Sequence, residues 1–359
     1  MTARPPSLEA RLRGAWEGRV SGCQLGKPVE LLSMREGHDA LATYLAAADA
    51  VPLRDYVPLV PDTTVARHFP QCCRGQFQRS EPDDDINYSV LALMMLEEHG
   101  GSLQTEDVAR AWLNHLPGGI VFTAERDALV MLLTRGSYGF AAGGPLGFDI
   151  ADCSDNPHND WIGAQIRADL YGWVCPDRPE AAAALAATDA ALSHRGEGVH
   201  GAVAVAAMGA AIAGGATFTD AVHTAVELLP DSSDCGEALR LGSAEAAAGR
   251  GPEVIHARYA DLSPVHTVNN LAIVAWGLLR GADDFGQAIG DTVAAGWDTD
   301  CNGATVGALW GLSGSPIPGA WTAPWQGRVA VSLAGVDELA LDDLVHRTVS
   351  VAERVVADG

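Results

Sequence analysis

Along most of this chain, apolar residues recur three and four positions apart, the spacing that gathers them on one face of a helix. That spacing predicts helices over residues 8–25, 86–98, 105–116, 123–134, 161–171, 179–193, 199–213, 218–229, 232–248, 252–259, 267–280, 284–295, 302–312 and 341–357. Alternating, strand-like runs are scarce, and no strand–helix–strand alternation appears, which argues against a nucleotide-binding parallel sheet. Two connections are long. Residues 30–79 hold only a short Ala-rich helical piece near 38–48, and residues 139–159 are rich in Gly, Asp and Pro. Connections of this length in a compact domain are usually functional or disordered. No low-complexity linker divides the chain, so residues 1–359 are expected to form one all-α domain with these two segments as active-site loops.

Two of the predicted helices carry glycine at every fourth position: Gly14, Gly18, Gly22 and Gly26 in the first, and Gly303, Gly307 and Gly311 in the second. Each glycine costs a helix about 1 kcal/mol relative to alanine. The close approach of another backbone, or of a ligand, would offset that cost.

Composition narrows the function classes. The chain has 359 residues, 48% of them hydrophobic, enough for a large core. Its formal net charge of −23 gives no basic face for nucleic acid or an anionic membrane, so neither is expected as a partner. The uncharged stretch 198–218 reads as a buried helix rather than a membrane span. The first residues lack the apolar core of a signal peptide. Seven cysteines without a CxxC pair fit neither a disulfide framework nor a zinc ribbon, and they fit a reducing, cytoplasmic setting.

The chemistry concentrates in two acidic segments. Asp83-Asp84-Asp85 stands at the start of an apolar helix, where a plain cap needs one carboxylate and three adjacent ones repel each other. Asp298 and Asp300, two residues apart in Gly296–Gly303, precede another apolar helix. Each alone is readable as a solvated acidic helix start. Together they offer up to five carboxylates, hard oxygen ligands suited to Mg²⁺, Mn²⁺ or Ca²⁺ rather than zinc. That number is enough for two ions, which in such sites lie about 3.5–4 Å apart. No EF-hand spacing is present.

These motifs resemble the ADP-ribosylglycohydrolase family. The resemblance rests on GAWEGRVSGCQLGKPVE at 14–30, DDDINY at 83–88 and GWDTDCNGATVGALWG at 296–311. Between them lie TAERDAL from Thr123, NPHNDWIGAQIRADLYGWV from Asn156, SHRGEGVHGAVAVAAM from Ser193 and HTVNNLAIVAWGLL from His266. The resemblance implies a single compact, orthogonal multi-helix fold with a two-magnesium centre (Mn²⁺ as an alternative) and hydrolysis of the C1″ glycosidic bond of an ADP-ribosyl or ribosyl-nucleotide substrate.

Carried over residue by residue, it implies metal ligation by Asp84, Asp85, Asp298 and Asp300. Asp83 and Cys301 stand at positions where many members have a threonine. A neutral thiol is a poor magnesium ligand. Glu30, expected to end the first helix, matches the family's catalytic glutamate. His194, Asn156, Gly163 and Gln165 match substrate-contacting segments. Trp297, beside the late acids, is placed to stack on adenine, narrow the pocket or pack in the core. Tyr88 and Trp161 read as packing residues. Two other readings fit the same residues: hydrolysis of a small N-ribosyl metabolite, or a non-catalytic metal- or ligand-binding member of the fold.

Overall fold

The computed structural model describes residues 5–357. Residues 1–4, with which the signal-peptide expectation begins, and 358–359, the end of the expected domain, lie outside the described residues. The architecture is almost entirely helical, as the periodicity predicts. The helices that matter for the site are α1 (Leu8–Glu36), α2 (Asp84–His99), α3 (Thr123–Arg135), α4 (Pro179–Ala190), α5 (Gly196–Gly214), α6 (Asp234–Ala247), α7 (Thr267–Arg280), α8 (Phe285–Ala294), α9 (Thr299–Gly311) and α10 (Leu341–Ala357). A two-stranded antiparallel hairpin, β1 (Arg328–Leu333) and β2 (Val336–Ala340), precedes α10. It was not foreseen. Its register breaks between Ala330 and Leu333, which blurs the two-residue alternation that identifies a strand.

At the centre, α1 packs antiparallel to α9, and every residue of α9 is buried. Helix α5 has the length and apolarity to cross a membrane, yet 72% of that stretch is buried inside the protein. It is a core helix packed on α4. All seven cysteines are free and buried.

Helix α1 departs most from expectation. Its start is capped by Ser7, whose Oγ accepts the Ala10 N–H at 3.2 Å. Instead of stopping near residue 25, it runs on through Pro28 to Glu36. A proline inside a helix normally kinks or ends it. Here Gly26, Lys27, Pro28 and Val29 are buried, so tertiary packing overrides the local signal. Glu30 therefore stands within a helix and not at the start of a loop. The predicted helix 161–171 is two short ones, Gly163–Ile166 and Asp169–Trp173.

Candidate active site and metal centre

The start of α2 meets the start of α9 beside the middle of α1. Asp83 caps α2: its Oδ1 accepts the Asp85 N–H at 2.9 Å, while its Oδ2 forms an ion pair with Lys27 of α1. Arg19, fully buried one face of α1 away, holds Asp85 Oδ1 at 3.2 Å and Asp169 Oδ2 at 2.8 Å, and its Nη2 reaches the Asp85 carbonyl at 2.9 Å. The late turn is set by backbone geometry. Gly296 and Trp297 both have positive φ, 85° and 59°. For a tryptophan that conformation is strained. Asn270 of α7 holds the turn, its Oδ1 accepting from Asn302 Nδ2 at 2.7 Å and from the Asp298 N–H at 3.3 Å. Thr299 Oγ1 donates to the Gly26 carbonyl at 2.9 Å.

Among the described residues three groups of ligand atoms result, each with its members within 4.8 Å of one another: Glu30–Asp298–Asp300, Asp85–Asp300–Cys301 and Cys23–Asp83–Asp85. Asp85 Oδ2, Asp298 Oδ1 and Asp300 Oδ1 are buried without a hydrogen-bond partner. Buried carboxylate oxygens left unpaired are costly, and a bound cation is what would satisfy them. The residues present therefore fit a hard divalent ion.

Burial pushes the carboxyls of Glu30, Asp84, Asp85 and Asp300 well above the usual range, and their facing charges add to it. Asp298 is also raised, mainly by burial. Asp83 differs. Burial would raise it, but the Lys27 ammonium and the hydrogen bonds from Lys27 and Asp85 together hold it below the usual range. The Cys301 thiol is pushed well up by burial and then by Asp298, so it stays protonated.

The acids open into a cleft of about 560 Å³. Glu30, Asp83, Asp84, Asp298, Asp300 and Cys301 all line it, as does Gly163. Its walls include Phe69, Tyr88, Phe122 and Trp161. Tyr88 and Trp161 thus face the cleft, beyond the packing role read from sequence. Gly163 leaves room for Glu125, whose Oε1 would lie 2.0 Å from a Cβ at that position.

The other expected substrate contacts are not among the cleft-lining residues. Asn156 braces its own loop, donating from Nδ2 to the Ser193 carbonyl at 2.8 Å and accepting the His158 N–H at 2.9 Å. Gln165 is fully buried and accepts from Thr267 Oγ1 at 2.7 Å. His194 is buried, with Nδ1 2.8 Å from Ser193 Oγ; burial, then Arg167, keeps it neutral. Trp297 turns away and packs on His256, ring centroids 4.2 Å apart.

Sequence reasoning missed Lys27, Arg19, Asn270 and Glu125. Glu125 lines the cleft and is held from behind by Arg167, which also binds Asp189. Spacing could not reveal these pairs, whose members lie 22 to 150 positions apart.

The overall arrangement has counterparts. A solved structure described as an ADP-ribosylglycohydrolase-related protein complex superposes with a TM-score of 0.58 at 18% identity, covering 97% of this chain and 99% of that one. At that identity the likeness concerns the fold. No curated protein matches the sequence significantly. The sequence profile named ADP-ribosylglycohydrolase matches residues 4–353, nearly the whole length and both acidic turns; this chain belongs to the ADP-ribosylglycohydrolase family.

Proposed function

We propose that this protein is a divalent-metal-dependent hydrolase, with Mg²⁺ the favoured ion, that cleaves the C1″ glycosidic bond of an ADP-ribosyl or related ribosyl group. The observation that carries the reading is the convergence of Asp84, Asp298, Asp300 and Glu30 on one cleft, with buried carboxylate oxygens left unpaired. Asp298 and Asp300 would hold the ion, with Glu30 beside them, and Asp84 lines the same cleft. When bound, such an ion supplies orientation of the ribose hydroxyls and offsets charge at the reacting centre.

The chain's own groups do the rest. Burial keeps a proton on Glu30 above the usual carboxylate range. Such a carboxyl can protonate the leaving atom as its bond to C1″ breaks. The resulting carboxylate then takes a proton from the water that adds to C1″, restoring Glu30. Phe69, Phe122 and Trp161 give an apolar wall for a flat base or leaving group and exclude water from one side. Seven buried, unpaired thiols support a cytoplasmic setting as part of the same proposal.

The test is release of free ribosyl product from a panel: ADP-ribosylated arginine, ADP-ribosylated serine, O-acetyl-ADP-ribose, NAD and simpler N-ribosides. Each is assayed with Mg²⁺ and with chelator. Metal-dependent release from one member establishes the hydrolase and its linkage. Bound metal with no release from any member rejects the proposed substrate class and turns the reading to a ligand-binding member of the fold.

A further inference from the structure

We propose that the centre takes a single divalent ion, and that the Lys27 ammonium is the built-in second cation. The inference rests on the metal-centre reading above. Of the three ligand groups, only Glu30–Asp298–Asp300 is made wholly of oxygen. Two of its members carry buried, unpaired oxygens, Asp298 Oδ1 and Asp300 Oδ1, and both residues are more than nine-tenths buried. The other two groups each include a thiol, Cys301 or Cys23. Neutral thiols are weak ligands for a hard ion.

Part of the charge in those two groups is already answered by protein cations. Asp83 has both oxygens committed, one to the Asp85 N–H and one to Lys27. Asp85 has one oxygen on Arg19; its other, Oδ2, is unpaired, and in both of its ligand groups a thiol, Cys301 or Cys23, completes the set. A divalent ion at the start of α2 would have to displace Lys27 or sit against its ammonium. Lys27 is not free to swing away. It is 8% exposed, its Nζ lies 4.8 Å from the Phe69 ring centre, and the adjacent Gly26 backbone is pressed against Thr299. A lysine held this way gives the acidic turn a positive charge that neither dissociates nor exchanges.

The test is a count of bound ions on the intact protein, by calorimetric titration with Mn²⁺ and by electron paramagnetic resonance of the Mn²⁺-loaded state. The expected result is one ion per chain with an uncoupled six-line spectrum. Lys27→Arg keeps that count. Lys27→Ala combined with Cys301→Thr frees Asp83 and adds an oxygen donor, raising the count to two with a coupled spectrum. Two ions in the unaltered protein overturn this inference and leave the metal-centre reading standing. A count that stays at one in the double variant also overturns the role of Lys27. No bound ion in the unaltered protein overturns the metal-centre reading itself. If the double variant does not fold, the count on the unaltered protein and on Lys27→Arg decides.

Discussion

Gly18 of α1 and Gly307 of α9 touch backbone to backbone: a Cβ on Gly18 would lie 1.9 Å from the Gly307 carbonyl oxygen, and a Cβ on Gly307 2.1 Å from that of Gly18. The same relation joins Gly14 to Gly311 and Gly22 to Gly303, and Gly26 meets Thr299. Each step advances one helix turn, so the contact is a continuous antiparallel seam. It ends at Gly26–Thr299, where Lys27 and Glu30 come level with Asp298 and Asp300. The seam thus fixes how far apart the proton-handling and metal-holding groups stand. Gly18→Ala places a methyl group against backbone, which cannot rotate aside. It should destabilise the fold by about 1–3 kcal/mol or more and weaken Mn²⁺ binding by spreading the two helices. Gly101→Ala, whose Cβ would meet nothing within 4 Å, is the comparison. Equal melting temperatures for the two variants would refute the seam's role.

Asp300 belongs to two of the three ligand groups, and burial plus Glu30 raises its carboxyl. Its charge is a liability without metal and an asset with it. Asp300→Asn should therefore raise the melting temperature of the metal-free protein. It should also lower Mg²⁺ affinity by more than about 100-fold, beyond what loss of an outer-shell partner costs. Thermal melts with and without Mg²⁺ check both signs. A variant that still melts higher on adding Mg²⁺ would remove Asp300 from the centre.

Protons compete with the ion. Asp85 and Asp300 are both raised, and a metal binds the deprotonated form. Mg²⁺ binding at neutral pH should release protons, and affinity should fall as the pH is lowered. For folding without metal the sign reverses. A carboxyl raised in the folded state binds more protons folded than unfolded, so stability grows as pH falls through its folded value. Asp169, pushed up to about 6 mainly by burial, gives a window: its penalty is full above that value and gone below about 4, its unfolded range. Asp83, held low by Lys27, works the other way and limits the gain. Calorimetry in two buffers of different ionisation enthalpy measures the released protons. Zero release at pH 7 would contradict the raised carboxyls.

The parts of this site legible in sequence are those written in local runs. Asp83–Asp85 and Asp298–Asp300 are contiguous, and the glycines repeat at helical spacing, so both could be read before any contact was known. The pairs that complete the centre are long-range. Lys27 reaches Asp83 and Arg19 reaches Asp85, and no periodicity connects them. The extension of α1 through Pro28 was hidden because proline's local penalty is overcome only by packing against α9. His194, Asn156 and Gln165 each hydrogen-bond within the loop or core and do not line the cleft, while His194 Nε2 and Gln165 Nε2 stay buried without a partner.

Of its expected roles Trp297 takes the packing one, while Trp161, read as a packing residue, also lines the cleft. Trp297 adjoins Asp298 in sequence, which fits a place over the substrate or in the core. Its positive φ reverses the chain, however, so the acids face the cleft while the indole packs on His256. Trp161 is far from either acidic turn in sequence, yet the bridge it forms with His266 holds it beside the start of α7, where it lines the cleft. Stacking of a nucleic-acid base on an aromatic ring is worth about 1–3 kcal/mol, so Trp161→Ala should weaken binding of a ribosyl ligand by roughly 10- to 100-fold. Trp297→Ala should leave that affinity within about twofold and change the melting temperature instead, since it removes core contact and puts alanine in the same strained backbone. Fluorescence or calorimetric titration with ADP-ribose in the presence of Mg²⁺ separates the two. If Trp297→Ala loses affinity and Trp161→Ala does not, the substrate lies on the other side of the late turn, and the cleft described here is not where the ribosyl group binds.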